Sequence, residues 1–84
     1  MNRYLVLLIR RPGLDPAVVP LHLAFLDELR EQGRIELSGG FSDSSGGAYL
    51  LRASDLAEAN VLVQRDPAYV SGGWDITVHE WLAH

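Results

Sequence analysis

The run Tyr4-Leu5-Val6-Leu7-Leu8-Ile9 sets the strongest constraint on what this chain can fold into. Read as a strand over Arg3 to Ile9, it points Leu5, Leu7 and Ile9 one way and Tyr4, Val6 and Leu8 the other. A strand that is apolar on both faces belongs in a sheet that is covered on both faces. Arg10-Arg11-Pro12-Gly13 ends the strand, because Pro-Gly is a strong turn signal. Arg10 and Arg11 could meet an anionic ligand there, although a solvated turn is the simpler account of them.

The remaining elements follow from periodicity. Val18, His22, Phe25, Leu26 and Leu29 recur at the spacing of a core-facing helical stripe. Asp15-Pro16 could start that helix, but Pro20 must lie in the first turn, which predicts a start at Val18 or Val19. Gly33 ends it as a left-handed cap residue. Ile35 to Phe41 reads as a second strand, with Ile35, Leu37 and Phe41 on one face and Glu36 and Ser38 on the other. Gly39-Gly40 suggests a bulge or a close approach to the backbone. After the polar turn Ser42 to Gly46, Gly47 to Arg52 is a third strand, paired with the second as a hairpin. Ser54 is the expected cap of a second helix, with Asp55 and Glu58 in its first turn and Leu56, Ala59, Leu62 and Val63 facing inward. Asp66 continues that stripe, and Asp66-Pro67 stops the helix. Ala68 to Gly73 is a loop, and Trp74 to Leu82 is a fourth strand. Trp74, Ile76, Val78 and Leu82 take one face; Asp75, Thr77, His79 and Trp81 take the other.

The order β-α-β-β-α-β is the split arrangement of ferredoxin-like α+β folds, here one domain over residues 1–84. Two helices cover one face of a four-stranded sheet. The first strand asks for cover on the second face as well, and a two-fold homodimer with sheets packed face to face supplies it. The net charge of −4, with no basic cluster beyond Arg10-Arg11, speaks against nucleic acid as a partner. Residues 4–9 are too few to span a membrane, and the N-terminus does not read as a signal peptide. A cytoplasmic location is therefore expected. The absence of cysteine excludes a disulfide framework, a thiolate nucleophile and a cysteine zinc site.

His22 and Asp66 are the candidate catalytic pair, because both lie on apolar faces of helices that pack side by side. A carboxylate on one imidazole nitrogen fixes the tautomer and frees the other nitrogen as general acid or base. The plainer alternatives are a hydrogen-bonded core histidine and an aspartate that caps a short turn opened by Pro67. His79 reads as a surface or dimer-face residue and His84 as terminal. The three histidines lack ligand spacing, so no metal site is expected, and the residues demand no cofactor.

Taken together, these residues resemble the YciI-like (YCII-related) family over nearly the whole chain. The resemblance rests on the strand Tyr4 to Leu8, on His22 with Leu26, Leu29 and Gly33, and on Gly39-Gly40. Asp66-Pro67 with Tyr69 and Gly72, and the closing aromatic Trp81, complete it. It implies a dimeric α+β barrel related to muconolactone-isomerase-like proteins, with a histidine–aspartate dyad that maps onto His22 and Asp66. Some members are lyases or dehalogenases acting on small cyclic organic molecules. Two departures bear on the pocket: Gly40 and Phe41 stand where a proline is usual, and the loop from Ser42 to Gly46 is short.

Two readings follow. In the first, a small dimeric enzyme of lyase, isomerase or dehalogenase type uses His22 for proton transfer and Asp66 to orient it. Backbone amides near Gly39 and Gly40 then face developing negative charge. In the second, a non-catalytic dimeric module binds a small ligand or a protein, with Phe41, Tyr49 and Trp81 as apolar walls.

Overall fold

A computed structural model describes residues 1–84. Its elements are β1 (Asn2–Arg10), α1 (Val18–Glu31), β2 (Ile35–Gly40), β3 (Gly46–Ala53), α2 (Leu56–Gln64), α3 (Pro67–Ser71) and β4 (Trp74–Glu80). The sheet runs β2-β3-β1-β4 with every neighbouring pair antiparallel. This is the ferredoxin-like order expected from the sequence. The apolar β1 lies inside it, between β3 and β4.

Tyr4, Val6 and Leu8 are buried under the helices with Leu26, Leu29, Tyr49, Leu51 and Val63. Each such aliphatic side chain contributes roughly 1.5–3 kcal/mol by leaving water. The alternate residues Leu5 and Leu7 are only partly covered, and Ile9 is exposed. The second face of β1 therefore has no helix over it. No helix is long and apolar enough to cross a membrane.

Helix α1 begins at Val18, which puts Pro20 at its third position, where a missing N–H costs no helical bond. Gly33 ends it with φ of 75°. The Gly33 N–H donates to the Arg30 carbonyl at 3.0 Å and the Arg34 N–H to the Leu29 carbonyl at 2.8 Å. These two bonds form a Schellman cap, and the left-handed residue it requires explains the glycine.

Several expectations need correction. Ile35 pairs with Leu51 but Leu37 with Leu50, so a bulge at Glu36 turns Ile35 and Leu37 to opposite faces. Ile35 is buried and Leu37 is 71% exposed. The bulge thus lies before Gly39-Gly40, not at them. Asp55, not Ser54, caps α2: its carboxylate accepts from the Glu58 N–H at 2.8 Å, and Glu58 Oε1 accepts from the Ser54 N–H at 3.0 Å. The carboxylate three residues before Glu58 closes this box, and Ser54 falls one residue outside. The hydrogen bond from Arg34, with that from Ser54, holds the Glu58 carboxyl below its usual range. Leu56, now the first helical residue, turns to solvent. Residues Pro67 to Ser71 are helical, not a loop, because Asp66 caps them and Pro67 fits the first helical position. β4 stops at Glu80, which leaves Leu82 exposed beyond it.

Candidate active site

Helices α1 and α3 lie against each other on the covered face and bring His22 to Asp66. Pro67 restricts the residue before it to extended backbone, and Asp66 complies with φ −64° and ψ 127°. From that position its Oδ1 accepts from the Ala68 N–H at 2.9 Å, as an N-cap does. The carboxylate is fully buried. A buried carboxylate needs donors on every side, and Asp66 has three. Besides Ala68, Tyr49 donates its O–H to Oδ2 at 3.4 Å, and His22 Nδ1 lies 2.8 Å from both oxygens. Burial, together with the Asp66 charge, pushes the Tyr49 phenol far above its usual range, so it stays a donor.

An ionised carboxylate only accepts, so the proton between the two groups belongs to His22 Nδ1. In the neutral ring, Nε2 then carries the lone pair. Nε2 makes no bond within the chain, and no buried side-chain nitrogen or oxygen lacks a partner. Nε2 must therefore reach accessible space. The space beside it is a cavity of about 300 Å³, walled by Leu8, Val19, Leu26 and Trp74 and by the glycine-rich ends of β2 and β3. The Trp74 and Tyr49 rings each centre 6.2 Å from the imidazole. An imidazole held by a carboxylate at one nitrogen, with the other facing a small cavity of mixed apolar and polar lining, can accept or return a proton there.

The residues singled out from the sequence divide into three groups. His22 and Asp66 meet. Gly39 and Gly40 line the cavity, together with Ser38, Gly46 and Gly47. Phe41 and Trp81 do not: they border a shallow groove on the helix-free face with Leu5, Leu37 and Leu50, which Gly39, Gly40 and Tyr49 also line. Strand alternation explains this for Trp81, which has the parity of His79 rather than of Val78. Tyr49 is buried behind the carboxylate, as its hydrogen-bond partner and not as an exposed wall. His79 is exposed on the helix-free face opposite Leu5, with Nε2 3.0 Å from Thr77 Oγ1. Sequence reasoning missed Trp74 and Ser38 as lining residues. The parity of β4 was the signal for Trp74, while the bulge hid Ser38.

Residues 2–82 match the family model described as YCII-related domain. Uncharacterized protein YjpA of Bacillus subtilis (strain 168) is 38% identical over 81 residues, covering 96% of this chain and 95% of that protein. Among solved structures, the fold is similar to that of 5-chloro-2-hydroxyhydroquinone dehydrochlorinase (TftG) from Burkholderia phenoliruptrix AC1100, in complex with 2,5-dihydroxybenzoquinone. The TM-score is 0.74 over 98% of this chain and 95% of that one, at 22% identity, which is a likeness of fold. By its match over nearly its whole length and by this relative, the chain belongs to the YCII-related family.

Proposed function

We propose that this protein is a small enzyme in which His22 Nε2 performs general acid–base chemistry on a single-ring organic substrate and Asp66 positions the imidazole. One observation carries the reading: Nδ1 is 2.8 Å from both oxygens of a fully buried carboxylate, which commits Nε2 to the cavity. An apolar cavity of about 150 Å³ holds benzene. The roughly twofold larger space beside His22 suits one ring with substituents. Nε2 would take a proton from an acidic C–H or O–H of that ring. The proton returns at another atom in an isomerisation, or leaves with an anion such as chloride in an elimination, with no net oxidation. The dehydrochlorinase with a similar fold, bound to a one-ring quinone, makes the elimination arm worth testing first.

Nitrogen-15 NMR of the imidazole in neutral solution tests the dyad directly. The expected result is that the neutral form of the ring carries its proton at Nδ1 and its lone pair at Nε2; a neutral form protonated at Nε2 alone would sink the proposal. Turnover should then be sought on chlorinated hydroxyquinols and small lactones, with His22→Ala inactive on any substrate found.

The helix-free face supports a two-fold homodimer. Leu5, Leu7, Ile9, Leu37 and Trp81 meet no helix there, and Ile9, Leu37 and Trp81 are all well exposed. Two sheets packed on this face leave the His22 cavity, on the opposite side, free for substrate. Light scattering should give twice the mass of the chain. Leu37→Lys, which puts a charge into the apolar contact, should weaken association at least about tenfold without unfolding the protomer. A monomeric wild type at micromolar concentration rejects this arrangement.

A further inference from the structure

The chain carries seven arginines and no lysine. Arg3, Arg11, Arg30, Arg34 and Arg52 each pair with a carboxylate. Arg11, next to the cavity in sequence, is held by Asp75 and by the Gly72 carbonyl. Arg10 differs. Its backbone N–H donates to the Ser45 carbonyl at 2.9 Å, but its guanidinium has no ion pair and no hydrogen bond within the chain. Arg10 lies at the end of β1, opposite Trp74 in the β1–β4 ladder, and lines the same cavity as His22 and Trp74.

No aspartate or glutamate lines that cavity. The chain has 11 acidic side chains and a net charge of −4, yet the fold puts none of them where it would neutralise Arg10. Asp66 is sealed behind the imidazole, with its oxygens taken by His22, Tyr49 and Ala68. Arg10 is therefore the one arginine or lysine among the lining residues. It is exposed and borders the neighbouring open pocket beside Arg11 and Pro16 as well, and its guanidinium has a planar fork suited to a carboxylate or an ionised ring hydroxyl.

We propose that Arg10 is the anion-binding residue of the His22 cavity, and that the substrate is a ring-sized molecule carrying one anionic oxygen group. This rests on the cavity being the substrate site, and not on the proton chemistry itself. The guanidinium holds the anionic end at the mouth while the ring lies against Trp74 and presents a proton-bearing atom to Nε2. The anion thus fixes which ring atom meets the imidazole, and a neutral analogue of the same shape loses that register.

The test uses benzoate and 4-nitrophenolate as the two kinds of anion and benzamide as the neutral counterpart, each followed by NMR titration of the backbone amides of Gly39, Gly40 and Trp74. At least one anion should bind at least about tenfold more tightly than benzamide, the scale of one charge-assisted hydrogen bond. Which of the two does so distinguishes a carboxylate from a phenolate-type group. Arg10→Met should erase the preference, Arg10→Lys should keep part of it, and Arg65→Met, which removes an unpaired arginine outside the cavity, should leave it intact. If neither anion surpasses benzamide, or if the preference survives in Arg10→Met, the proposal is overturned. Because binding is read without turnover, an anion preference in a protein whose imidazole carries its proton on Nε2 would uphold Arg10 and reject the dyad. The converse pair of results would do the reverse.

Discussion

Asp66→Asn should leave the protein folded and nearly inactive, with the imidazole proton moved from Nδ1 to Nε2. Asparagine caps a helix as well as aspartate does, so its Oδ1 keeps the bond from the Ala68 N–H. The amide nitrogen then takes the place of Oδ2, 2.8 Å from His22 Nδ1. Nδ1 then faces a donor as well as Oδ1, where before it faced two acceptors, and Oδ1 is already shared with the Ala68 N–H. The donor–donor contact therefore favours the neutral ring with its lone pair at Nδ1 and its proton on Nε2. The base facing the cavity is gone while the geometry is nearly unchanged. Proton-transfer catalysis of this kind supplies about 10²–10⁴-fold, which is the loss expected in kcat. Stability should change by only about 1 kcal/mol. Asp66→Ala is the contrast. It strips a buried acceptor from Tyr49 and Ala68 at once, and should lower stability by about 3 kcal/mol in urea unfolding. Full turnover in Asp66→Asn, with Nδ1 still protonated, would show that Asp66 is a structural cap and no part of the chemistry.

The two candidate dyad residues were legible because each breaks a pattern that the rest of its helix keeps. His22 is a polar residue in an apolar stripe, and Asp66 extends the inner stripe of α2 past its end. Periodicity brings such residues to the same layer, and the adjacency of α1 and α3 does the rest. The cavity walls were less legible, because they depend on register. One residue bulged at Glu36 reverses the face of everything after it in β2, so Leu37 leaves the core face and Ser38 joins the cavity. Alternation alone cannot show such an insertion. Phe41 and Trp81 lie away from the His22 cavity for a related reason. Phe41 and Trp81 are apolar and sit at strand ends, but a strand end near a site in sequence can present its side chain to the other side of the sheet. Arg10 and Arg11 are adjacent and identical in type. Only the fold tells them apart, by giving Asp75 to one and the cavity to the other.

Gly46→Ala should abolish stable folding, whereas Gly40→Val should fold normally and close the cavity. Both glycines line the space beside His22, yet the physics at each is different. Gly46 has φ of 156°, and a Cβ there would overlap the Leu8 carbonyl oxygen and lie 2.9 Å from its carbon. Those are backbone atoms of the central strand, and relieving the clash means separating β3 from β1. The expected cost exceeds about 4 kcal/mol, a large part of the total stability of a domain this size. At Gly40 a Cβ would meet only the Gly46 carbonyl oxygen, at the ordinary distance of 3.7 Å. A β-branched residue suits a strand better than glycine, so the thermal midpoint should hold or rise slightly. Gly40 shares the covered face with Ser38, two residues before it, and a valine there projects into the cavity. Binding of the ring-sized anions should weaken at least about tenfold, with the His22 tautomer unchanged. Gly40→Val that binds benzoate and 4-nitrophenolate as the wild type does would mean that those anions occupy some other part of the molecule. A glycine that permits the fold and one that leaves room for a ligand are thus separable by two substitutions, although the sequence presents both only as glycines at the ends of a hairpin.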